Sequence, residues 1–311
     1  MSKKSAIQFQ PGMSLPTFLD RFGTEAQCRE LVFQQRWSNG FQCPACGSRS
    51  HCRLGTRDLL QCNCCKRQVS LTAGTLFAQT KLPLKTRFLA IYLLSQHKNG
   101  ISAMALRRQL GVSYNTAWLL KHKLMQAMVE GEHDRMLHGV VQMDDAYWGG
   151  ERHGGLRGRG SPGKTPFVAA VACTQQGHPL HVRMDKVDGF RKAILADWAA
   201  RVLVPGCEVV SDGLNCFAAV AGAGCLHTPI NTGGGVPDEP ALRWVNTLLG
   251  NLKNALHGTY HAIKGKYLQR YLSEFCYRFN RRFDLTGLVT QLILTATRTP
   301  PLPYKIATLD A

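Results

Sequence analysis

An α/β fold, with a mixed sheet flanked by helices, is what this sequence predicts, and three observations carry the prediction. Short apolar segments separated by glycine-rich turns begin near Gly139, two of those segments end in aspartate, and helical periodicity occupies the chain on either side. In front of this region stand two smaller modules, one dense in cysteine and one helical.

The 311 residues suffice for one large domain and one or two small ones, since domains mostly run about 100 to 200 residues. Apolar residues at 44% and charged residues at 19% exclude a disordered chain. The 38 Lys and Arg against 20 Asp and Glu leave a formal charge of +18, which concentrates polyanions around the protein and makes nucleic acid the leading partner. No membrane association is expected, because no apolar run is long enough to span a bilayer. Met1 to Leu15 is polar, without a signal core, so the expected location is cytoplasmic. Half of the 12 cysteines lie between Cys43 and Cys65, in a spacing that favours metal over disulfides in a reducing compartment.

Those cysteines sit in FQCPACGSRSHCRLGTRDLLQCNCCKRQVSL, Phe41 to Leu71. A two-residue gap lets both sulfurs of a pair face one ion. Cys43, Cys46, Cys62 and Cys65 therefore form a candidate structural Zn²⁺ site of four thiolates, with no position left for a substrate. Cys52 is a further thiol nearby, and Cys64 could replace Cys62 or Cys65 after a small shift of the second turn.

Between Pro83 and Met128, apolar residues recur at helical steps, as in Phe88, Ile91, Tyr92 and Leu94. Ser102 can cap a helix ending at Leu110, Gly111 can make the turn, and Ser113 can cap a helix beginning near Tyr114. That is helix-turn-helix spacing. It would present Tyr114, Asn115 and Lys121 to DNA while Ala117, Leu120 and Leu124 pack inward; a helical hairpin without DNA contact would show the same pattern.

The region after Gly139 reads as the strands VVQMDDAYW, PFVAAVACT and HPLHVRMD, a helix over 190–202, and the strand CEVVSD. Three strands, a helix and a fourth strand suggest an RNase H-like order. Asp144 and Asp212 come at or near strand ends, where carboxylates reach the sheet edge and can hold Mg²⁺ or Mn²⁺. Two such ions can clamp the attacking and leaving oxygens of an in-line phosphoryl displacement. In the following helix, EPALRWVNTLLGNLKNALHG, Asn246 and Lys253 stand two turns apart on one face. Asn246 can add a neutral oxygen ligand and Lys253 a positive charge for a phosphate. Asn251 lies on another face.

Asp144, Asp212, Asn246 and Lys253, at intervals of 68, 34 and 7 residues, resemble the catalytic signature of DDE-type insertion-sequence transposases in the DDNK variant. The stretches QVSLTAGTLF, MDDAYWGG, KTPFVAAV, WVNTLLGNLK, GTYH and YLSEFCYRFNRR extend the similarity, over nearly the whole chain, to zinc-ribbon bacterial members with an ISXO-like transposase domain. The resemblance implies metal-dependent cleavage at the terminal inverted repeats of an element, followed by attack of the freed 3′ hydroxyl on target DNA. No covalent enzyme intermediate is needed. It also implies a homo-oligomer on double-stranded DNA, at the bacterial nucleoid. Asn246 departs from the usual third glutamate, which leaves open whether Asp145, Asp238 or Glu239 supplies a carboxylate. The alternative is a catalytically inactive or domesticated DNA-binding protein.

Two basic segments remain. The loop Gly149 to Thr165, with Arg152, Arg157, Arg159 and Lys164, reads as a DNA-backbone clamp. Its GRGSPGKT matches the nucleotide-binding P-loop pattern, but a polar glycine run precedes it and a strand follows, where a P-loop must follow an apolar strand and open a helix. Towards the carboxyl end, GTYHAIKGKYLQRYLSEFCYRFNRRFDL reads as a basic amphipathic helix. Tyr267, Tyr271, Phe275 and Phe279 form its apolar stripe, and Arg278, Arg281 and Arg282 are candidate phosphate contacts; His257 and His261 receive no role. The expected division is 1–80 with the ribbon at about 41–71, a helix-turn-helix module over 81–135, the catalytic domain over 136–290 and a tail over 291–311.

Overall fold

The computed structural model describes residues 5, 7–55, 59–149, 163–230, 240–260 and 262–309. The chain divides into two compact units, one built on Gly131–Phe283 and the other on Pro11–Glu130 with Asp284–Leu309.

The second of these units holds the ribbon and most of the helices. Helices α1 (Leu15–Phe22) and α2 (Glu25–Arg36) precede the three-stranded antiparallel sheet of β1 (His51–Leu54), β2 (Leu59–Cys62) and β3 (Gln68–Ser70). Thr24 and Gln27 form a reciprocal capping box that starts α2. Then come α3 (Leu84–Gln96), α4 (Ala103–Leu110) and α5 (Tyr114–Glu132). No side chain of its own caps α3; the carboxylate of Glu25 accepts from the Leu84 and Lys85 amides at 2.8 and 3.0 Å. The Ser102 cap, the left-handed Gly111 and the Ser113 bond to Thr116 all occur where the residues predict them. The segment expected as a tail instead folds back. Helix α9 (Leu285–Arg298) buries Leu285, Leu288, Val289, Leu292, Ile293 and Ala296 and packs on α3, followed by the short α10 (Tyr304–Thr308). An apolar face of that width requires a partner, which explains why the carboxyl end belongs to this unit.

In the other unit, β4 (Val140–Trp148), β5 (Thr165–Cys173), β6 (Pro179–Lys186), α6 (Lys192–Val202), β7 (Glu208–Ser211) and β8 (Leu226–Pro229) form a five-stranded sheet ordered β6-β5-β4-β7-β8. The first three strands are antiparallel; β7 and β8 join parallel to β4. This mixed sheet is the RNase H-like arrangement suggested by the strand order. One face packs on α6, burying Val141, Met143, Val168, Leu195, Trp198 and Phe217 among others. Helix α7 (Arg243–Tyr260) packs on β4 and β5, and α8 (Leu268–Asn280) on β6. Covered on both faces, β5 is buried from Phe167 to Cys173, hence its unbroken apolar sequence.

The basic carboxyl-terminal segment departs from the single amphipathic helix expected. It is split between the ends of α7 and α8, and α8 is buried around most of its circumference. Asn280 exchanges two hydrogen bonds with the Val182 backbone, at 2.7 and 2.9 Å, while Gln269 accepts from Lys186 N–H at 2.8 Å and donates to Met184 carbonyl at 3.3 Å. These amides satisfy the outer edge of β6 as another strand would, and so protect it from pairing with other chains. Arg278, Arg281 and Arg282 serve the same interior. Arg278 lies 3.7 Å from buried Glu274, Arg281 pairs with Glu132, and fully buried Arg282 donates to the carbonyls of Ile7, Pro179, Leu180 and Phe279. As phosphate contacts these three arginines are therefore corrected: each is held by protein acceptors that need its donors.

Candidate active site

The parallel register pairs Met143 with Ser211, so the next residues, Asp144 and Asp212, lie side by side; Asp212 directly follows the end of β7, whereas Asp144, expected at a strand end, sits in the middle of β4 opposite Ala169 of β5. Asp145 joins them. Carboxylate oxygens of Asp144, Asp145 and Asp212 lie within 4.8 Å of one another. The Asp145 amide donates to Asp144 Oδ1 at 2.8 Å, and the Leu214 amide to Asp212 Oδ1 at 3.2 Å, which fixes the direction of both carboxylates. Burial, then repulsion from Asp212 and Asp145, pushes Asp144 up to about 7, against the opposing pull of the Asp145 amide and Lys253. Hard oxygens converging with unbalanced negative charge are the donor set that fits a divalent cation.

Not every strand acid contributes. Asp185 on β6 is engaged by Arg183 at 2.8 Å, the Trp198 indole at 2.9 Å and Gln269 at 3.0 Å. Its oxygens are consumed by structure.

Helix α7 presents Asn246 and Lys253 on its exposed side while Val245, Leu248, Leu249, Leu252 and Leu256 are buried. The helix packs against β4, the strand that carries Asp144 and Asp145, and against β5. Its two ends are fixed to β4. Gln142 Oε1 accepts from the Trp244 and Val245 amides at 2.8 and 3.1 Å, and the Trp148 ring packs against His257 with centroids 4.8 Å apart. Neither anchor has a motif in the sequence; alternation with Asp144 along β4 is the signal that places Gln142 and Trp148 on its face. Asp238, Glu239 and His261 lie outside the described residues.

In the ribbon, Cys43, Cys46, Cys62 and Cys65 converge within 4.8 Å, with Cys43 to Cys65 at 3.5 Å and Cys46 to Cys62 at 3.6 Å. Four sulfurs at 2.3 Å from one Zn²⁺ would be about 3.8 Å apart, so the set fits a structural zinc ion. Exposed Cys52 and Cys64 are outside the cluster, which resolves the choice within the second cysteine turn. Both knuckles close alike: the Gly47 amide donates to Cys43 carbonyl and the Lys66 amide to Cys62 carbonyl, and Gly47 and Lys66 are both left-handed, at φ 71° and 60°. The Cys65 amide, and with it that of Cys64, lowers Cys62 to about 6 despite its burial, favouring a thiolate ligand.

Two of the four buried residues in the ribbon's core cluster, Phe41, Cys43, Leu60 and Cys62, are also ligands. A module with so little apolar core depends on its ion. Replacing Cys62 with serine, or chelating zinc, is expected to make Phe41 to Leu71 sensitive to protease at concentrations that spare the rest of the chain. Limited proteolysis with mass spectrometry checks this, and equal resistance with and without zinc refutes it.

Tyr114 and Asn115 are exposed at the start of α5. Lys121 is corrected: at 1% exposure it lies in the interior, because it is one helical turn from both buried Ala117 and Met125. Lys164 is half-buried directly before the β5 residue Thr165, confirming that a strand follows the P-loop-like string. Arg152, Arg157 and Arg159 lie outside the described residues.

Comparison with known proteins agrees with this geometry. Residues 136–280 match the ISXO2-like transposase domain, and residues 23–68 match the transposase zinc-ribbon domain. An uncharacterised protein in transposable element ISH50 of Halobacterium salinarum is 30% identical over 141 residues, which are 44% of this chain and 45% of that protein. The chain thus spans less than half of that relative's length. Among the described residues no helix is long and apolar enough to cross a membrane. A ribbon match followed by a catalytic-domain match, with three aspartates assembled on β4 and at the end of β7, leads to one assignment: the chain belongs to the zinc-ribbon insertion-sequence transposases with an ISXO2-like transposase domain.

Proposed function

We propose that the protein is an active DDE-type transposase that cuts DNA at the terminal inverted repeats of an insertion sequence and joins the freed 3′ ends to target DNA. The supporting observation is the convergence of Asp144, Asp145 and Asp212, with the helix bearing Asn246 and Lys253 packed on the strand of Asp144. Asp144 and Asp212 are the principal ligands for Mg²⁺ or Mn²⁺, Asn246 contributes a neutral oxygen, and Asp145 supplies the acid that Asn246 lacks. Two such ions, when bound, would activate the attacking oxygen and stabilise the leaving one. Lys253 neutralises the phosphate beside the scissile bond. The zinc ribbon, with Tyr114 and Asn115 at the head of α5, recognises the element ends, and Arg157, Arg159 and Lys164 hold the backbone. Work on two DNA ends calls for a homo-oligomer on DNA, acting on the bacterial nucleoid in the cytoplasm.

On labelled element-end DNA with Mn²⁺, Asp212→Ala is expected to lower strand cleavage on the order of 10³-fold. Gel-shift affinity for the same DNA without divalent metal should change less than about threefold, because ligands do not read sequence. Retained cleavage in this variant contradicts the ligand assignment. Binding without nicking by the wild type, where a control transposase nicks, identifies an inactive DNA-binding protein.

A further inference from the structure

We infer that Gln142 is a positioning residue of the cleavage site, setting the helix of Asn246 and Lys253 against the strand of Asp144; this rests on the transposase reading above. Gln142 is 7% exposed, two positions before Asp144 on the same face of β4. Its single Oε1 accepts from both Trp244 and Val245 amides, at 2.8 and 3.1 Å. These belong to the first turn of α7, whose amides have no partner within the helix and where no acidic residue lies.

The origin of the cap is the important point. A serine or aspartate at the helix's own start would satisfy those amides wherever the helix lay. A cap from β4 does so only when the start of α7 sits over Gln142. Forming the helix and placing it are thereby the same event. At the other end, the Trp148 ring packs against His257 at a tilt of 31°, and its indole N–H donates to Ile263 carbonyl at 3.2 Å.

The two lengths match. From Gln142 to Trp148 the strand rises about 20 Å, and from Trp244 to His257 the helix also rises about 20 Å. Helix and strand therefore run side by side in the same direction. Asp144, a third of the way along, falls opposite the helical stretch between Asn246 and Lys253, in agreement with the packing of α7 on β4. Glutamine suits the position because it accepts twice without adding charge beside three carboxylates.

The test compares zinc-loaded wild type with Gln142→Met, similar in length but a poor acceptor, and Gln142→Glu, which keeps the acceptor. In Gln142→Met, amide exchange at Trp244 and Val245 should speed up at least tenfold. The Mn²⁺ concentration for half-maximal cleavage, and for half-maximal Mn²⁺ binding by electron paramagnetic resonance, should rise at least fivefold. Gln142→Glu should keep the amide protection and show no rise in Mn²⁺ requirement. If Gln142→Met does not fold, Gln142→Asn, whose acceptor falls about 1.5 Å short, takes its place with the same expectations. An unchanged Mn²⁺ requirement in the variant lacking the cap, or an equal rise in Gln142→Glu, overturns the inference. The transposase reading fails separately, if Asp144→Ala leaves both cleavage and Mn²⁺ binding at wild-type levels.

Discussion

Asp144→Asn is expected to abolish cleavage and yet make the metal-free protein more stable. Asp144 is held at about 7 in the folded chain, against 3.8 for an unperturbed aspartate. Between those values the native state keeps a proton that the unfolded state has released. Stability therefore falls as pH rises through the window from about 4 to about 7. Holding the ionised carboxylate there at higher pH costs about 4 kcal/mol at most. Asparagine has the same shape and no charge, so the variant should gain about 2 to 4 kcal/mol over wild type at pH 8 and nothing below about pH 4. Urea unfolding of zinc-loaded protein without added Mg²⁺, followed across this range, measures the difference. Added Mg²⁺ should stabilise wild type but not the variant. A difference that does not depend on pH would refute the electrostatic account of this site.

The second large effect lies away from the carboxylates. Arg282 is fully buried and donates to four backbone carbonyls, those of Ile7, Pro179, Leu180 and Phe279. Arg282→Ala removes the side-chain donors of the Ile7, Pro179 and Leu180 carbonyls in a buried place, while the Phe279 carbonyl keeps the backbone N–H of residue 282 at 3.1 Å; each orphaned group costs about 1 to 3 kcal/mol. The expected loss exceeds about 4 kcal/mol, a large part of the stability of an ordinary domain. Arg282→Lys, with three donors on a point charge in place of a planar fork, should fold with a loss of about 1 to 3 kcal/mol. Soluble yield and urea midpoints test the pair. The salt dependence of DNA binding by the lysine variant should match wild type. A normally stable alanine variant with a weaker salt dependence would return Arg282 to the DNA surface.

Much of the catalytic unit was legible from local pattern. The strands β4, β5, β6 and β7 and helix α6 appear where apolar runs and periodicity place them, because each buries a face and so needs an apolar sequence. Strand β8 left no such signal. Leu226–Pro229 is an edge strand whose residues are mostly exposed, so nothing selects an alternating pattern. The arginines of α8 misled for a related reason. A helix with charged residues on one side looks amphipathic, but Glu132 and the carbonyls of Ile7, Pro179 and Leu180 that engage Arg281 and Arg282 are remote in sequence, and the burial of the neighbouring Glu274 beside Arg278 has no local signal. Lys121 follows the same rule: its one-turn spacing from Ala117 and Met125 was visible, whereas the width of the buried face of α5 was not.

By itself the sequence determined the cysteine quartet, the caps on either side of Gly111, the aspartates on or beside two apolar strands and the placing of Asn246 and Lys253 on one helical face, though not that Asp144 lies mid-strand. All are matters of short-range geometry, set by residue type and spacing. Only the tertiary structure decided that Asp145 joins the carboxylates, that Asp185 does not, that α9 returns to α3, and that Gln142 of β4 accepts from the first amides of α7. These outcomes depend on which distant groups meet in the interior, where an unpaired charge or amide is costly and finds its partner through the fold.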